Sequence, residues 1–265
     1  MNKILTRNIT SHDLLKTLAV ITMIIDHVGY YFYPDIEWFR VVGRLSFPIW
    51  AFLIGYANSR DIPARWWIGA GILVISGFMI GQPIFPLNVI PTLIACRLII
   101  EGVMSYATKG TEYLLHMMTL MILLSLPTSM ISEYGTLGVL FAMQGYAIRH
   151  KQEIDWGMIP MSCLIIGTWV SYAIIEYFIF DFSPMPAGVM AGITFGVCLG
   201  LIFFRPAEFT ALSKALPGVC VAGVRLMGRR TLEIYVIHLL LFKGLALWLD
   251  PDRFQFLHWT WFTQP

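Results

Sequence analysis

The chain has 265 residues, of which 57% are hydrophobic and only 13% are charged, and its formal net charge is +2 at pH 7. Soluble domains carry roughly 25% charged residues, so this chain lacks about half of the charge expected on a soluble surface. The composition therefore excludes a soluble globular domain and a disordered chain. The small net charge also argues against a nucleic-acid-binding face. The four cysteines lie far apart without a CxxC pair, which excludes a disulfide framework and a zinc site.

Nine apolar runs along the chain are candidate membrane spans, because a span needs about 20 mostly apolar residues. The runs are 14–33, 45–59, 66–87, 88–106, 112–131, 133–148, 157–180, 186–204 and 231–249. Each is continuous rather than alternating, which favours helices over a transmembrane barrel. The predicted fold class is all-α, a polytopic transmembrane helix bundle that forms a single integral membrane domain over 1–265.

Segment 206–230 decides whether the number of spans is nine or ten. Its apolar stretch, 215–224, is flanked by Lys214 and Arg225 and holds only about ten residues, fewer than a span requires. We therefore expect an interfacial or re-entrant segment before the last span. If the segment crosses the membrane instead, the count becomes ten and the C-terminus moves to the cytoplasmic side.

The placement of Lys and Arg predicts the orientation of the bundle. With the N-terminus inside, thirteen of the eighteen Lys and Arg residues fall in cytoplasmic segments and three on the opposite side. The remaining two, Arg97 and Lys243, fall inside spans. Cytoplasmic loops of membrane proteins carry an excess of Lys and Arg. The N-terminus is therefore predicted to be cytoplasmic.

Ionisable side chains inside spans are costly and are candidate functional groups. Lys16 and His27 lie eleven positions apart, about 20° past three full turns, so they share one face of the first helix. Asp26 is rotated by roughly 100° from His27 and is expected to face a neighbouring helix or a substrate. Arg44 opens the second span at the same level. A carboxylate, an imidazole and a guanidinium are thus predicted to converge in one layer.

Other polar residues allow a functional and a structural interpretation. Tyr235 and His238, like Arg230 and Glu233, are three residues apart and share a helix face. Tyr235 and His238 either belong to the site or form hydrogen bonds between helices. The cations Arg225, Arg229 and Arg230 either bind a ligand or serve only as a topology signal.

Four further ionisable residues lie near the middle or the ends of spans. Arg97 and Glu101 are four residues apart in the fourth span, so they either belong to the pocket or neutralise each other as an ion pair. His116 and Lys243 lie near span ends and are expected to snorkel to the interface.

Several stretches resemble known families of membrane proteins. The strings LKTLAVITMIIDHVGYYFYP at 15–34 and RVVGRLSFPIWAFLIGYANSR at 40–60, with NVIPTL at 88–93 and EYGTLG at 133–138, resemble the TraX family. That family is named for a conjugation protein that N-acetylates pilin. The ending GRRTLEIYVIHLLLF at 228–242 is similar to the last helix of the membrane acyltransferase type 3 superfamily. Lys16 and His27 reproduce its Arg-to-His spacing, but Lys lacks the bidentate fork of Arg.

The resemblance implies transfer of an acyl group from acyl-CoA, with acetyl-CoA as co-substrate, to an acceptor amine such as the N-terminus of a pilin subunit. His27 would be the general base that deprotonates the acceptor. Asp26 would orient His27 or hold the acceptor amine. Arg44 would stabilise the thioester oxyanion or bind an anionic group of the substrate.

The resemblance also implies a site for the CoA co-substrate, with cytoplasmic cations at its phosphates and the last helix lining an acyl tunnel. The expected cofactor-binding residues are Lys16, Arg225, Arg229, Arg230, Tyr235 and His238, and the further residues expected in the pocket are Arg97, Glu101 and Glu233. No metal is expected. The expected location is the bacterial inner (cytoplasmic) membrane, with the acyl acceptor and the lipid bilayer as partners and no nucleic acid.

Three alternatives stay open from the sequence. The same residues would serve an O-acyltransferase that modifies an envelope glycan or lipid. A transporter could use the intramembrane charges as a proton or solute path, although no inverted repeat is visible in the sequence. A non-catalytic assembly factor would use the charged pairs only for structure. Binding of CoA separates the two enzyme hypotheses from the other two.

Overall fold

The structure, a computed structural model, describes residues 6–154 and 156–262. Over these residues the chain is mainly helical, as predicted, with one two-stranded pairing. The helices are α1 (Ser11–Phe32), α2 (Glu37–Gly43), α3 (Ser46–Tyr56), α4 (Ala64–Met79), α5 (Val89–Ala107), α6 (Thr111–Ser129), α7 (Leu137–Arg149), α8 (Met158–Phe180), α9 (Pro184–Ile202), α10 (Thr210–Ala215), α11 (Gly218–Arg229) and α12 (Thr231–Leu249). The strands are β1 (Ile9–Thr10) and β2 (Glu208–Phe209), which pair antiparallel.

Each of the nine predicted runs overlaps one of these helices. Five of them, α1, α5, α8, α9 and α12, are long and apolar enough to cross a membrane, and α4 is a shorter apolar helix. The central helices α3 and α7 have 11 and 13 residues. At 1.5 Å per residue they rise only about 17 and 20 Å, less than the roughly 30 Å of a bilayer core. The two short helices are therefore enclosed by the longer ones.

Helices α3 and α7 form the centre of the bundle, and nearly every side chain of both is buried. Their backbones approach closely at two glycines. A Cβ atom at Gly55 would collide with the backbone carbonyl of Ala142, and one at Gly145 would collide with that of Phe52. Small residues allow this close packing of membrane helices. By contrast, α6, α8 and α12 expose large apolar side chains, among them Leu123, Phe178 and Trp248, on surfaces suited to lipid.

Segment 206–230 forms β2, α10 and the short helix α11. The 12 residues of α11 rise about 18 Å, too little to span a bilayer. The helix packs along the first half of α1, where the Thr17 hydroxyl donates a hydrogen bond of 3.0 Å to the Val224 carbonyl. A position at the membrane interface remains a prediction for this segment.

Candidate functional site

A cavity of about 570 Å³ lies beside the C-terminal half of α1. Its wall comes from α1, α2, α3, α4, α8 and α12 and from the connections that follow α4 and α6. The polar residues that line it include Asp26, His27, Tyr30, Tyr31, Arg40, Arg44, Gln82, Glu133, Tyr134, Glu176, Tyr235 and Lys243. Apolar side chains such as Phe47 and Leu239 complete the wall. A concave, mostly apolar pocket with a few polar groups is typical of a small-molecule site.

Asp26 lies at the centre of a buried network of charges. Its Oδ1 accepts a hydrogen bond of 2.7 Å from Nη2 of Arg44, and its Oδ2 accepts one of 2.7 Å from Nη1 of Arg40. Arg44 in turn donates from Nη1 to Oε2 of Glu176 at 2.8 Å. Gly43 allows this approach, because a Cβ atom there would collide with the Asp26 carboxylate. Two carboxylates and two guanidinium groups therefore neutralise one another.

The predicted convergence of Asp26 and Arg44 is present in the structure, but most of their hydrogen-bonding groups are already used within the protein. Both carboxylate oxygens of Asp26 bind arginine, so Asp26 does not orient the His27 ring. Both terminal nitrogens of Arg44 bind carboxylates, and its Nε is buried without a hydrogen-bond partner among the described residues. Besides this buried Nε–H, each terminal nitrogen of Arg44 keeps one N–H outside these two ion pairs, so the guanidinium retains donors for a ligand.

A second imidazole orients His27 instead. Nδ1 of His27 lies 2.8 Å from Nε2 of His238, and Nδ1 of His238 lies 2.7 Å from the Ile234 carbonyl oxygen. A carbonyl only accepts, so Nδ1 of His238 carries the hydrogen, and a neutral His238 then accepts at Nε2. His27 must consequently donate from Nδ1. This assignment follows from the hydrogen-bond network. It leaves a lone pair on Nε2 of His27, which has no hydrogen-bond partner in the described chain.

His238 thus has a different place from the acyl tunnel expected from the sequence. It stands behind His27, whereas Tyr235 lines the cavity and lies 5.9 Å from His27 between ring centroids. The predicted common face of Tyr235 and His238 accounts for both contacts, since one turn of α12 presents the two rings to α1.

Lys243 and Glu176 belong to the cavity although the sequence pattern singled out neither of them for the site. The expectation that Lys243 snorkels is wrong. Its side chain is buried, and Nζ donates to the Leu73 carbonyl at 2.8 Å and to the Ser76 hydroxyl at 2.9 Å. Because α12 packs against α4 at this point, the ammonium satisfies its donors inside the bundle. For both Lys243 and Glu176, an ionisable side chain within an apolar run was the sequence feature that indicated a site residue.

Glu133 was also missed as a site residue. It lies in the connection between α6 and α7, outside the helices, and its side chain lines the cavity. Its carboxylate has no hydrogen bond or ion pair within residues 6–154 and 156–262, whereas its backbone is held by Leu87 and Thr92. The side chain is exposed to the cavity, and desolvation by the protein around the cavity raises the pKa of the Glu133 carboxyl to about 7, against the attraction of Arg44. The TraX-like stretch at 133–138 includes Glu133, but nothing in the sequence indicated its place in the cavity.

The remaining predicted site residues lie away from the cavity, around the N-terminal end of α1. Arg229 donates to both carboxylate oxygens of Asp13 at 3.2 Å and to the carbonyls of Thr6 and Asn8. Its guanidinium is therefore used within the protein, which corrects its expected role at the CoA phosphates. Arg230 is exposed and pairs with Glu233 at 3.4 Å, as its spacing predicts.

Arg97 and Glu101 do not form the pair that their spacing suggested. Glu101 binds Nε of Arg60 at 3.1 Å, because the connection after α3 brings Arg60 to the exposed side of α5. Arg97 instead lies over the Trp66 ring at 5.4 Å, and its Nε is buried without a partner in the described residues. The pair was therefore a wrong alternative for these two residues.

Lys16 is close to Arg97 and has no partner of its own. Its charged neighbours are Asp13, Arg65 and Arg97, and it makes no ion pair or hydrogen bond within the described chain. Arg225 also has a buried Nε without a partner there. Two groups of candidate residues thus lie at opposite ends of α1: the cavity group around His27 and a cationic group around Lys16.

The comparison with known families identifies the chain. The family model described as TraX protein matches residues 11–246, which include both groups of site residues. The chain belongs to the TraX family.

Two curated relatives agree with this membership. An uncharacterized protein of Rickettsia prowazekii (strain Madrid E) is 32% identical over 155 residues, which cover 56% of this chain and 60% of the relative. Protein TraX of Escherichia coli is 26% identical over 160 residues, which cover 58% of this chain and 62% of that protein. The chain thus spans about three fifths of the length of these two relatives. No solved structure matches it significantly.

Proposed function

We propose that this TraX-family chain is a membrane acyltransferase of the bacterial inner membrane. It transfers an acetyl or other short acyl group from acyl-CoA to an acceptor amine, such as the N-terminus of a pilin subunit. The observation that carries the proposal is the imidazole pair, which leaves Nε2 of His27 unprotonated beside a cavity. The amine and pilin parts rest on the family resemblance.

His27 serves as the general base in this proposal. The amine nitrogen attacks the thioester carbonyl carbon, and a C–N bond forms. Nε2 of His27 takes a proton from the attacking nitrogen, the C–S bond breaks, and the imidazolium returns the proton to the departing thiolate. General base catalysis of this kind contributes roughly 10²–10⁴-fold to the rate. His238 stabilises the imidazolium, because the Nδ1–H of His27 already points to its lone pair.

Arg44 is the group proposed to stabilise negative charge on the thioester oxygen. Its buried Nε–H is unpaired in the described chain, and fixed donors in a dry site stabilise an oxyanion strongly. Asp26 and Glu176 hold the guanidinium in place through its other two nitrogens. Asp26 is thus proposed as a positioning residue rather than as the group that holds the amine.

The cationic group at the other end of α1 is proposed to bind the CoA phosphates. Among the described residues Lys16 and Arg97 form no ion pair, although Asp13 is a charged neighbour of Lys16, and bound anions would relieve the repulsion between the two cations. Eleven residues separate Lys16 from His27, or roughly 16 Å along the helix. The extended pantetheine arm of CoA can bridge such a distance. Arg229 is left out of this site because it binds Asp13.

The test is the release of CoA from labelled acetyl-CoA by the purified protein in detergent, with and without a peptide that has a free N-terminus. We expect release with wild-type protein and loss of release in His27→Ala, while CoA binding persists. His116→Ala is the matched control, because His116 is exposed on α6. Full activity in His27→Ala would overturn the general-base role. Neither release nor saturable CoA binding by the wild type would overturn the acyltransferase proposal.

A further inference from the structure

The cavity contains three carboxylates, and one of them differs from the other two. Asp26 and Glu176 are bound by arginine at 2.7–2.8 Å. The Glu133 carboxylate lines the same cavity but has no hydrogen bond or ion pair in the part of the chain that the structure describes. The Glu133 side chain is exposed within the cavity, so an ammonium group that enters the cavity can form a charge-assisted hydrogen bond with it.

The backbone around Glu133 presents this carboxylate in a fixed position. The amide of Glu133 donates to the Leu87 carbonyl at 2.9 Å, and the amide of Leu87 donates to the Ile131 carbonyl at 2.9 Å. The next residue, Tyr134, has a φ of 66° and stacks on Phe47 at 3.6 Å between ring centroids. A non-glycine residue in this region of backbone conformation is strained, and such strain often occurs at functional sites.

Within residues 6–154 and 156–262, no cation forms an ion pair with the Glu133 carboxylate. Its cationic neighbours are Arg44, Arg40 and Lys243. The two arginines bind Asp26, and the Lys243 ammonium donates to Leu73 and Ser76. None of the three forms an ion pair with Glu133 among the described residues. The carboxylate is therefore available to a ligand inside the cavity.

The number of free bases matches the protons that a primary amine must lose. An ammonium acceptor loses one proton before it can attack the thioester and a second one when the amide forms. A hydroxyl acceptor loses only one. Among the described residues of the cavity, His27 Nε2 and the Glu133 carboxylate are both basic groups without a partner. This pair is more than a hydroxyl acceptor requires.

We propose that Glu133 binds the ammonium group of the acceptor and thereby selects a primary amine over a hydroxyl. The inference rests on the proposed function for the role of the ligand, although binding itself requires no transfer. Glu133 takes one proton from the –NH₃⁺ group and leaves a neutral amine. When that nitrogen bonds to the thioester carbon, His27 takes its second proton and passes it to the CoA thiolate. The first proton leaves Glu133 for solvent.

The experiment measures thermal stabilisation of the purified protein, without CoA, by n-butylammonium chloride and by its uncharged isostere n-butanol. We expect the wild type and His27→Ala to prefer butylammonium. In Glu133→Gln the apparent affinity for butylammonium should fall by roughly tenfold or more, since a hydrogen bond to a charged group is lost. Glu112→Gln is the matched control, because Glu112 is exposed on α6.

Two results would overturn the inference. One is equal stabilisation of wild type and Glu133→Gln by butylammonium, and the other is no preference of the wild type for butylammonium over butanol. Glu133→Asp, which keeps the charge, should retain part of the preference and guards against misfolding of the Gln variant. If the preference depends on Glu133 but no acetyl transfer is found, the inference stands and the proposed function fails. If Glu133→Gln transfers acetyl groups with an unchanged KM for the amine, the inference fails alone.

Discussion

At both ends of α1 an aspartate is bound by arginine, and a nearby basic side chain is left without a carboxylate partner among the described residues. At the N-terminal end, Asp13 is buried and bound by Arg229, and Lys16 one turn later is left with mostly cationic neighbours. At the C-terminal end, Asp26 is bound by two arginines, and His27 is left with only a second imidazole. In each case arginine neutralises the carboxylate, and the adjacent basic group stays free of it. The free group is the one suited to bind or react.

The two ends differ in how deeply their ion pairs are buried. The Arg44 side chain is 3% exposed and that of Glu176 is 2% exposed, whereas the Arg229 side chain at the other end is 17% exposed. Removing one partner of a buried pair is strongly destabilising, because the other charge is left without compensation. Loss of Arg44 is therefore expected to destabilise the protein more than loss of Arg229, whereas Arg40, with 18% of its side chain exposed, resembles Arg229.

The largest effect is expected from Arg44→Gln, which leaves the Glu176 carboxylate buried without a partner. Loss of one member of a buried ion pair costs about 3–5 kcal/mol of stability. The matched control is Arg230→Gln, whose exposed pair with Glu233 contributes about 1 kcal/mol or less. The stability of both variants is measured by unfolding the detergent-solubilised proteins with heat or denaturant. Equal stability of the two variants would contradict the importance of the buried network.

The next prediction concerns the His27–His238 pair and its effect on turnover. His238→Ala should lower kcat by up to about 10²-fold, because the His27 ring loses the acceptor that fixes its orientation. His238→Gln should recover part of the rate, since its amide oxygen can accept from Nδ1 of His27. The measurement is steady-state acetyl transfer with the KM for acetyl-CoA determined in parallel. Identical rates in the Ala and Gln variants would argue against an orienting hydrogen bond.

A smaller effect is expected at the cationic end of α1, on the KM for acetyl-CoA. Lys16→Gln with Arg97→Gln should raise the KM for acetyl-CoA by roughly tenfold or more, while kcat changes little, because charged contacts to phosphate are lost. Lys109→Gln, at an exposed position after α5, is the control. Arg229→Gln should lower stability without this change in KM, because Arg229 holds Asp13. A double variant with an unchanged KM would remove the phosphate site.

The sequence predicts the fold well because long apolar runs indicate membrane helices directly. The apolar stretch within 206–230 is too short for a span, and this segment forms short helices in the structure. It predicts Asp26, His27 and Arg44 in one layer because helix periodicity and a short connection determine their level. It does not predict which partner each charge selects. Glu101 binds Arg60 rather than Arg97, a choice between two distances that only the packed structure determines.

The unpaired groups of the cavity are harder still to predict from the sequence. Glu133 lies in a connection rather than in a helix, so no periodicity places it at the cavity that His27 lines. Lys243 seemed close enough to a span end to reach water, but α12 packs this position against α4. In both cases the relevant property is a missing carboxylate or cation partner. A missing partner follows from tertiary packing and leaves no pattern in the sequence.

The smallest expected effect is on the pH dependence of stability, and it tests the Glu133 environment independently of catalysis. The pKa of this carboxyl is raised from 4.5 to about 7 in the folded chain, so the folded state holds a proton that the unfolded state has lost. Stability from this group is fully present below pH 4.5 and is lost as the pH rises through 7. Glu133→Gln cannot titrate, so its unfolding temperature should fall less than that of the wild type between pH 4.5 and 7.5. Glu112→Gln should keep the wild-type slope. Identical slopes in wild type and Glu133→Gln would mean that Glu133 is fully hydrated in the cavity, and an ammonium ligand would then gain little by binding it.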